Sequence, residues 1–116
     1  MKSRKILLTA SDYSASGSCL APLLRMAIGL ACSFKRPRVT IVLQGEAVRC
    51  ARLIANPDWT HRYQTSAKAH SIELLVEKQS LESRGLKASD LVAWTKVVDI
   101  NEVAEQWHMA DLQVKV

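Results

Sequence analysis

The feature that most constrains this chain is Val39-Thr40-Ile41-Val42-Leu43, a run of five apolar and β-branched residues with no polar alternation. A strand with one face in water alternates apolar and polar side chains, whereas a strand covered on both faces reads as continuous apolar sequence. Lys5–Ala10 and Ile72–Val76 have the same apolar character. Two further runs, Lys96–Ile100 and Leu112–Val116, bring the expected strands to five.

The segments between these runs carry helix signals. Leu20, Leu23, Leu24, Ala27, Ile28 and Ala31 recur at three-four spacing behind Ser18, a capping residue type, and Pro22 falls in the first turn, where a missing N–H costs nothing. Lys35-Arg36-Pro37-Arg38 ends this helix. Gln44-Gly45-Glu46 leads from the central run into a second helix through Ile54, stopped by Asn56-Pro57. Asp58 caps a third from Trp59 to about His70. Ser80–Arg84 reads as one helical turn closed by Gly85, and Asn101 as the cap of a short helix carrying Val103, Ala104 and Trp107. Strand and helix in alternation predict an α/β fold: one domain over residues 1–116, with about five strands in a mainly parallel sheet and helices on both faces.

Length and composition narrow the function classes. The 116 residues suit one domain, and 48% hydrophobic with 23% charged residues is a globular balance. The net charge of +5 favours acidic partners, but only 5% of residues are aromatic and no Lys/Arg run exceeds two, which argues against a stacking platform for nucleic acid. No apolar run approaches the length of a membrane-spanning helix, and Ile6-Leu7-Leu8 behind the basic N-terminus is too short for a secretory signal. Three cysteines, at 19, 32 and 50, do not form a disulfide framework and point to a reduced, cytoplasmic setting.

In a parallel sheet, ligands bind at the carboxyl ends of the strands. Those ends supply Ser11-Asp12-Tyr13, then Gln44-Gly45-Glu46, then Glu77-Lys78-Gln79-Ser80. Ser11, Asp12, Tyr13, Gln44, Gly45, Glu46, Glu77, Gln79 and Ser80 are therefore the candidate binding residues. Arg49, Arg52, Lys78 and Arg84 flank this edge, either as a solvated basic face or as contacts for sulfur anions and acidic partners. Glu46 and Glu77 are the carboxyl groups available there for acid–base work.

Among the thiols, Cys19 falls at the start of the first helix, where unpaired N–H groups favour a thiolate, and Cys50 lies one to two turns from a strand end. Both are candidate sulfur carriers, although a free cysteine more often packs as a small buried hydrophobe. Cys32 continues the first helix's apolar stripe and is expected in the core. No phosphate loop, dinucleotide fingerprint, zinc-protease motif or Cys-x-x-Cys pair occurs, and His61, His70 and His108 are too scattered for a closed zinc site, so no cofactor or metal is expected.

Three segments together carry a family resemblance. They are Val39–Val48 (VTIVLQGEAV), Leu75–Leu86 (LVEKQSLESRGL) and the tail from Asp90-Leu91-Val92 through Val97-Val98-Asp99-Ile100-Asn101-Glu102-Val103-Ala104-Glu105 to Ala110-Asp111. In order and spacing they resemble the DsrE/DsrF-like sulfur-relay proteins (the YchN-like and TusD-like group) over nearly the whole chain. The resemblance implies a compact α/β fold, assembly into trimers or hexamers (of one chain or of related subunits), and transfer of persulfide sulfur between donor and acceptor proteins. Active members place the acceptor cysteine after the third strand in a V-C-x-x-S-L-x-x-R-G context; this chain reads Val76-Glu77-Lys78-Gln79-Ser80-Leu81-Glu82-Ser83-Arg84-Gly85, with Glu77 at the matching position. A carboxyl group cannot hold a persulfide.

Three readings follow. In the first, the chain carries sulfur on Cys19 or, second, on Cys50. In the second, it is a non-catalytic adaptor or structural subunit of a DsrE-like oligomer. In the third, it is a small-ligand pocket protein with Glu77 and Gln44 as polar contacts. Trp59, Tyr63, Trp94 and Trp107 are the aromatic residues available to anchor an interface or fill the core.

Overall fold

Five parallel strands form one sheet in the order β4-β3-β2-β1-β5. The computed structural model describes residues 4–11, 20–33, 35–57 and 64–116. Asp12, Tyr13, Cys19, His61 and the aromatics Trp59 and Tyr63, with the expected caps Ser18 and Asp58, lie outside the described residues. The strands are β1 (Lys5–Ala10), β2 (Arg38–Leu43), β3 (Glu73–Glu77), β4 (Lys96–Val98) and β5 (Leu112–Lys115). Four helices are described: α1 (Ala21–Ala31), α2 (Gln64–Ala69), α3 (Lys78–Ser83) and α4 (Ile100–Met109).

The order of the strands decides where the helices go. From β1 to β4 each strand is added on the same side of its predecessor, whereas β5 returns to pair with β1, Ile6 opposite Leu112. Right-handed crossovers put helices of one direction of travel on one face and those of the reverse direction on the other. The two cores match this. Ile6, Leu8, Val39, Ile41, Leu43, Leu74 and Val76 pack on one face with Leu23, Leu24 and Ala27 of α1, Ala67 of α2 and Leu81 of α3. Leu7, Val42 and Leu75 pack on the opposite face with Val103 of α4, and Trp107 lies half-buried against them. Trp94 is half-buried against the first core, so both described tryptophans contribute to packing.

Four local expectations are corrected. The helix expected from Gly45 through Ile54 is two 3₁₀ segments, Gly45–Ala51 and Leu53–Ala55, split by an extended Arg52 that forms an antiparallel bridge with Leu91. Tertiary pairing overrides local helix preference there: Val92 donates its N–H to the Ala51 carbonyl at 2.8 Å. The cap of α4 is Asp99 rather than Asn101, its side chain accepting from the Glu102 N–H at 2.9 Å, because β4 ends at Val98, two residues before the expected limit. The first helix starts at Ala21 with Leu20 as cap residue. Cys32, expected in the core, is exposed, since α1 ends at Ala31 and Cys32 is the C-cap where the chain turns away.

Asn56 has a larger part than a helix stop. Its side chain is buried, with Nδ2 donating to the Cys50 and Arg52 carbonyls, both at 2.7 Å, and Oδ1 accepting from the Leu20 N–H at 2.8 Å. It thereby satisfies one orphan N–H at the start of α1 and two carbonyls of the broken 3₁₀ stretch. Removing it leaves buried groups without partners, a cost of about 2–3 kcal/mol. Denaturant unfolding of Asn56→Ala is expected to show that loss, against about 1 kcal/mol for Asp99→Ala, which removes only an exposed cap; equal losses would refute the assigned role of Asn56.

Candidate functional site at the carboxyl edge of the sheet

The carboxyl ends of β1, β2 and β3 meet through hydrogen bonds rather than by proximity alone. Gln44 donates its backbone N–H to the Ala10 carbonyl at 2.9 Å, and Ala47 donates to the Ser11 carbonyl at 3.2 Å, which fastens the end of β1 to the turn after β2. The Gly45 N–H donates to Ser80 Oγ at 2.9 Å, joining that turn to α3. Ser80 Oγ in turn donates to Glu77 Oε1 at 2.9 Å, and Gln44 Nε2 donates to Glu77 Oε2 at 2.6 Å. Both carboxyl oxygens of Glu77 are thus engaged, and the residue is 8% exposed.

The local sequence makes this arrangement available. Glu77 is the last residue of β3 and the N-cap of α3, so Ser80 falls one helical turn on, within reach of the Glu77 carboxyl. Gly45 has φ of +56, and a Cβ built on it would lie 2.9 Å from the Ser11 carbonyl oxygen. Glycine is needed there both for the left-handed backbone and for the close approach of β1's end. Gly85, at φ +67, closes α3 in the same backbone region, as expected from its position.

Glu46 takes no part in the hydrogen bonds to Glu77. It pairs with Arg49 Nε at 2.9 Å and with Arg84 Nε at 3.0 Å, so the first turn after β2 is tied to the end of α3 by charge. Arg84 also donates to the Ser80 carbonyl at 3.0 Å, and Arg52 Nε donates to the Arg49 carbonyl at 2.9 Å. The Arg49 guanidinium, hydrogen-bonded to the Glu46 carboxyl, holds it below its ordinary value, and the charge of Arg84 acts in the same direction. The two glutamates do not share a hydrogen bond; Arg84, bonded to both Glu46 and the Ser80 carbonyl, links their surroundings.

Of the residues singled out in the sequence, Ser11, Gln44, Gly45, Glu77 and Ser80 are brought together, and Glu46 borders them. Gln79 is exposed beside the network; its carbonyl accepts from Ser83 Oγ at 2.8 Å. Cys50 is completely buried in the first core. Asn56, which holds the carbonyls of that cysteine and of Arg52, had no sequence signal beyond its place before Pro57. Among the described residues, no group of three or more His, Cys, Asp or Glu is arranged to hold a metal ion, and no helix is long and apolar enough to cross a membrane.

The fold and this edge define a class: α/β proteins of one parallel five-stranded sheet, with a polar junction where β1, β2 and β3 end. The sequence model of the DsrE/DsrF-like family matches residues 6–116, and the chain belongs to that family. Its fold is similar to that of the YchN protein from E. coli, with a TM-score of 0.73 at 18% identity, covering 99% of this chain and 100% of that one. It is also similar to MTH1491 from Methanobacterium thermoautotrophicum, a protein of unknown function, with a TM-score of 0.69 at 13% identity and the same coverage. No curated protein matches the chain.

Two measurements check this site. Gly45→Ala is expected to lose about 2 kcal/mol in denaturant unfolding, because it combines left-handed backbone strain with a contact against a carbonyl. Gly29→Ala, in the interior of α1 with nothing within 4 Å of the new methyl, is expected to gain about 0.5–1 kcal/mol. Separately, the titration of Glu46 followed by NMR is expected to move to higher pH in Arg49→Gln. Since the folded value is lowered, the ion pairs' contribution to stability is fully present above the ordinary carboxyl range. It is lost as pH falls through the folded value.

Proposed function

We propose that this chain works in a sulfur-relay system as a non-catalytic subunit or adaptor of a DsrE-like oligomer, with the sulfur-carrying thiol supplied by a partner. Family membership supports the sulfur-relay setting. The observation that carries the adaptor reading is Glu77: the residue that matches the family's acceptor cysteine is a buried carboxyl group whose two oxygens are both occupied by Gln44 and Ser80. It is not a nucleophile for sulfane sulfur, and its hydrogen bonds join the end of β3 to the turn after β2 and to the first turn of α3. The acceptor position has become a structural joint.

Cys50, the second candidate carrier, is 0% exposed. Persulfide transfer between proteins requires sulfur atoms to meet, and a fully buried thiol cannot present itself to a partner without opening the core. Cys19 lies outside the described residues and remains the carrier to test. In this reading the chain acts as a single domain in the cytoplasm. It assembles into a trimer or hexamer, either with itself or with related subunits that keep the cysteine.

The test uses a Cys32→Ser background, which removes the exposed thiol. After exposure to a low-molecular-weight polysulfide, this protein is expected to show no reductant-reversible gain of about 32 Da, one sulfur atom. The same background carrying Glu77→Cys is expected to gain it at the new side chain. An adduct mapped to Cys19 or Cys50 in the background protein would overturn the adaptor reading and restore the carrier.

A further inference from the structure

The opposite end of the sheet holds a second chemical environment. A cavity of about 690 Å³ opens beside the amino ends of β1 and β2, lined by Lys5, Arg36, Arg38 and His70 together with Pro37 and Met109 among others. Among the described residues, no acid lines it. Among the described residues, the side chains of Lys5, Arg36 and Arg38 make no hydrogen bond or ion pair. An adjoining cavity of about 440 Å³ shares Pro37 and adds Arg4 and Lys35. Its one acid, Asp111, is engaged, accepting from the Lys5 backbone N–H at 2.7 Å.

A thiol adjoins the cavity through His70. Cys32 is exposed, and its Sγ lies 3.7 Å from both Nδ1 and Nε2 of His70. In a neutral imidazole one ring nitrogen is a proton acceptor whichever tautomer is present; the equal distances place the sulfur toward the Cε1 side of the ring, so a rotation of His70 is what aims that nitrogen at it. Ala31, the residue before Cys32, and Ser71, the residue after His70, also line the cavity. The nucleophile, its base and the cations are therefore contiguous, at the end of the sheet remote from Glu77.

We propose that Cys32, His70 and the basic cavity form a thiol-exchange site for small disulfides that carry carboxylates, the glutathione disulfide class. Lys5, Arg36 and Arg38 hold the carboxylates, and the cavity volume lies within the range of small-molecule sites. His70 takes the proton of the Cys32 thiol, and Cys32 Sγ attacks one sulfur of the disulfide. A new Cys32–S bond forms as the ligand's S–S bond breaks. The departing half leaves as a thiolate, which takes the proton from His70. No net electrons enter or leave: one disulfide is exchanged for another. The site uses none of the residues on which the adaptor reading rests and stands independently of it.

The experiment is intact-mass and peptide-mapping mass spectrometry of the full chain incubated separately with oxidised glutathione, neutral hydroxyethyl disulfide and cationic cystamine. Oxidised glutathione is expected to add about 305 Da at Cys32, reversibly with dithiothreitol. Its rate is expected to exceed that of cystamine by about tenfold or more at low salt, with the gap closing as salt is raised. The double variant Arg36→Gln/Arg38→Gln is expected to erase the preference for the anionic disulfide. His70→Asn is expected to slow all three reagents alike. Adducts that map to another cysteine, or equal rates at Cys32 for the three disulfides in the unmodified protein, would overturn the proposal without recourse to any variant.

Discussion

The polar junction around Glu77 is the constraint on which the carboxyl edge depends. Three strands end there in parallel, and each leaves backbone groups that the sheet no longer pairs. Ser80 relays between a backbone donor on Gly45 and an acceptor on Glu77, while Gln44 supplies the second donor. Buried polar groups are tolerated only when they are paired, and a chain of this kind stabilises as a unit rather than as separate contacts. Changing one member leaves the others facing unpaired atoms. This is why the left-handed turn at Gly45, the start of α3 and the side chain at position 77 have to be considered together.

The fold was largely legible because its main determinant is a property of short continuous segments. β1 coincides with the apolar run Lys5–Ala10, and β2 extends the run Val39–Leu43 by one residue. The polar residues that follow such runs fall at one edge whenever the strands are parallel, so Ser11, Gln44, Gly45, Glu77 and Ser80 could be grouped without coordinates. What escaped was decided by partners far away in sequence. Arg52 is extended because Leu91 pairs with it, thirty-nine positions on. Asn56 reaches back to Leu20, and nothing in the residues around Asn56 announces that. Cys32 continued a helical stripe by count, yet the helix stops one residue before it.

The two ends of the sheet have been given different chemistry. At the carboxyl end, acids stand among the cations: Glu46 lies between Arg49 and Arg84, and the buried carboxyl of Glu77 faces neutral donors. At the amino end, Lys5, Arg36 and Arg38 border a cavity with no acid among its described lining residues. The chain's basic excess is therefore not spread as a uniform solvated coat. A parallel sheet directs its strand ends consistently, so each end of the molecule can acquire its own character through substitutions in the loops alone.

The asparagine at position 56 has one more consequence, on the scale of the protein's lifetime. Asparagine side chains age chiefly by cyclisation, in which the backbone nitrogen of the next residue attacks the side-chain carbonyl and releases ammonia. The next residue here is Pro57, whose nitrogen carries no hydrogen and cannot open that route. Burial and three hydrogen bonds further fix the amide. A clamp that would become a buried acid on deamidation is thus guarded by its neighbour's covalent structure, and it keeps its two donated protons as the molecule grows old.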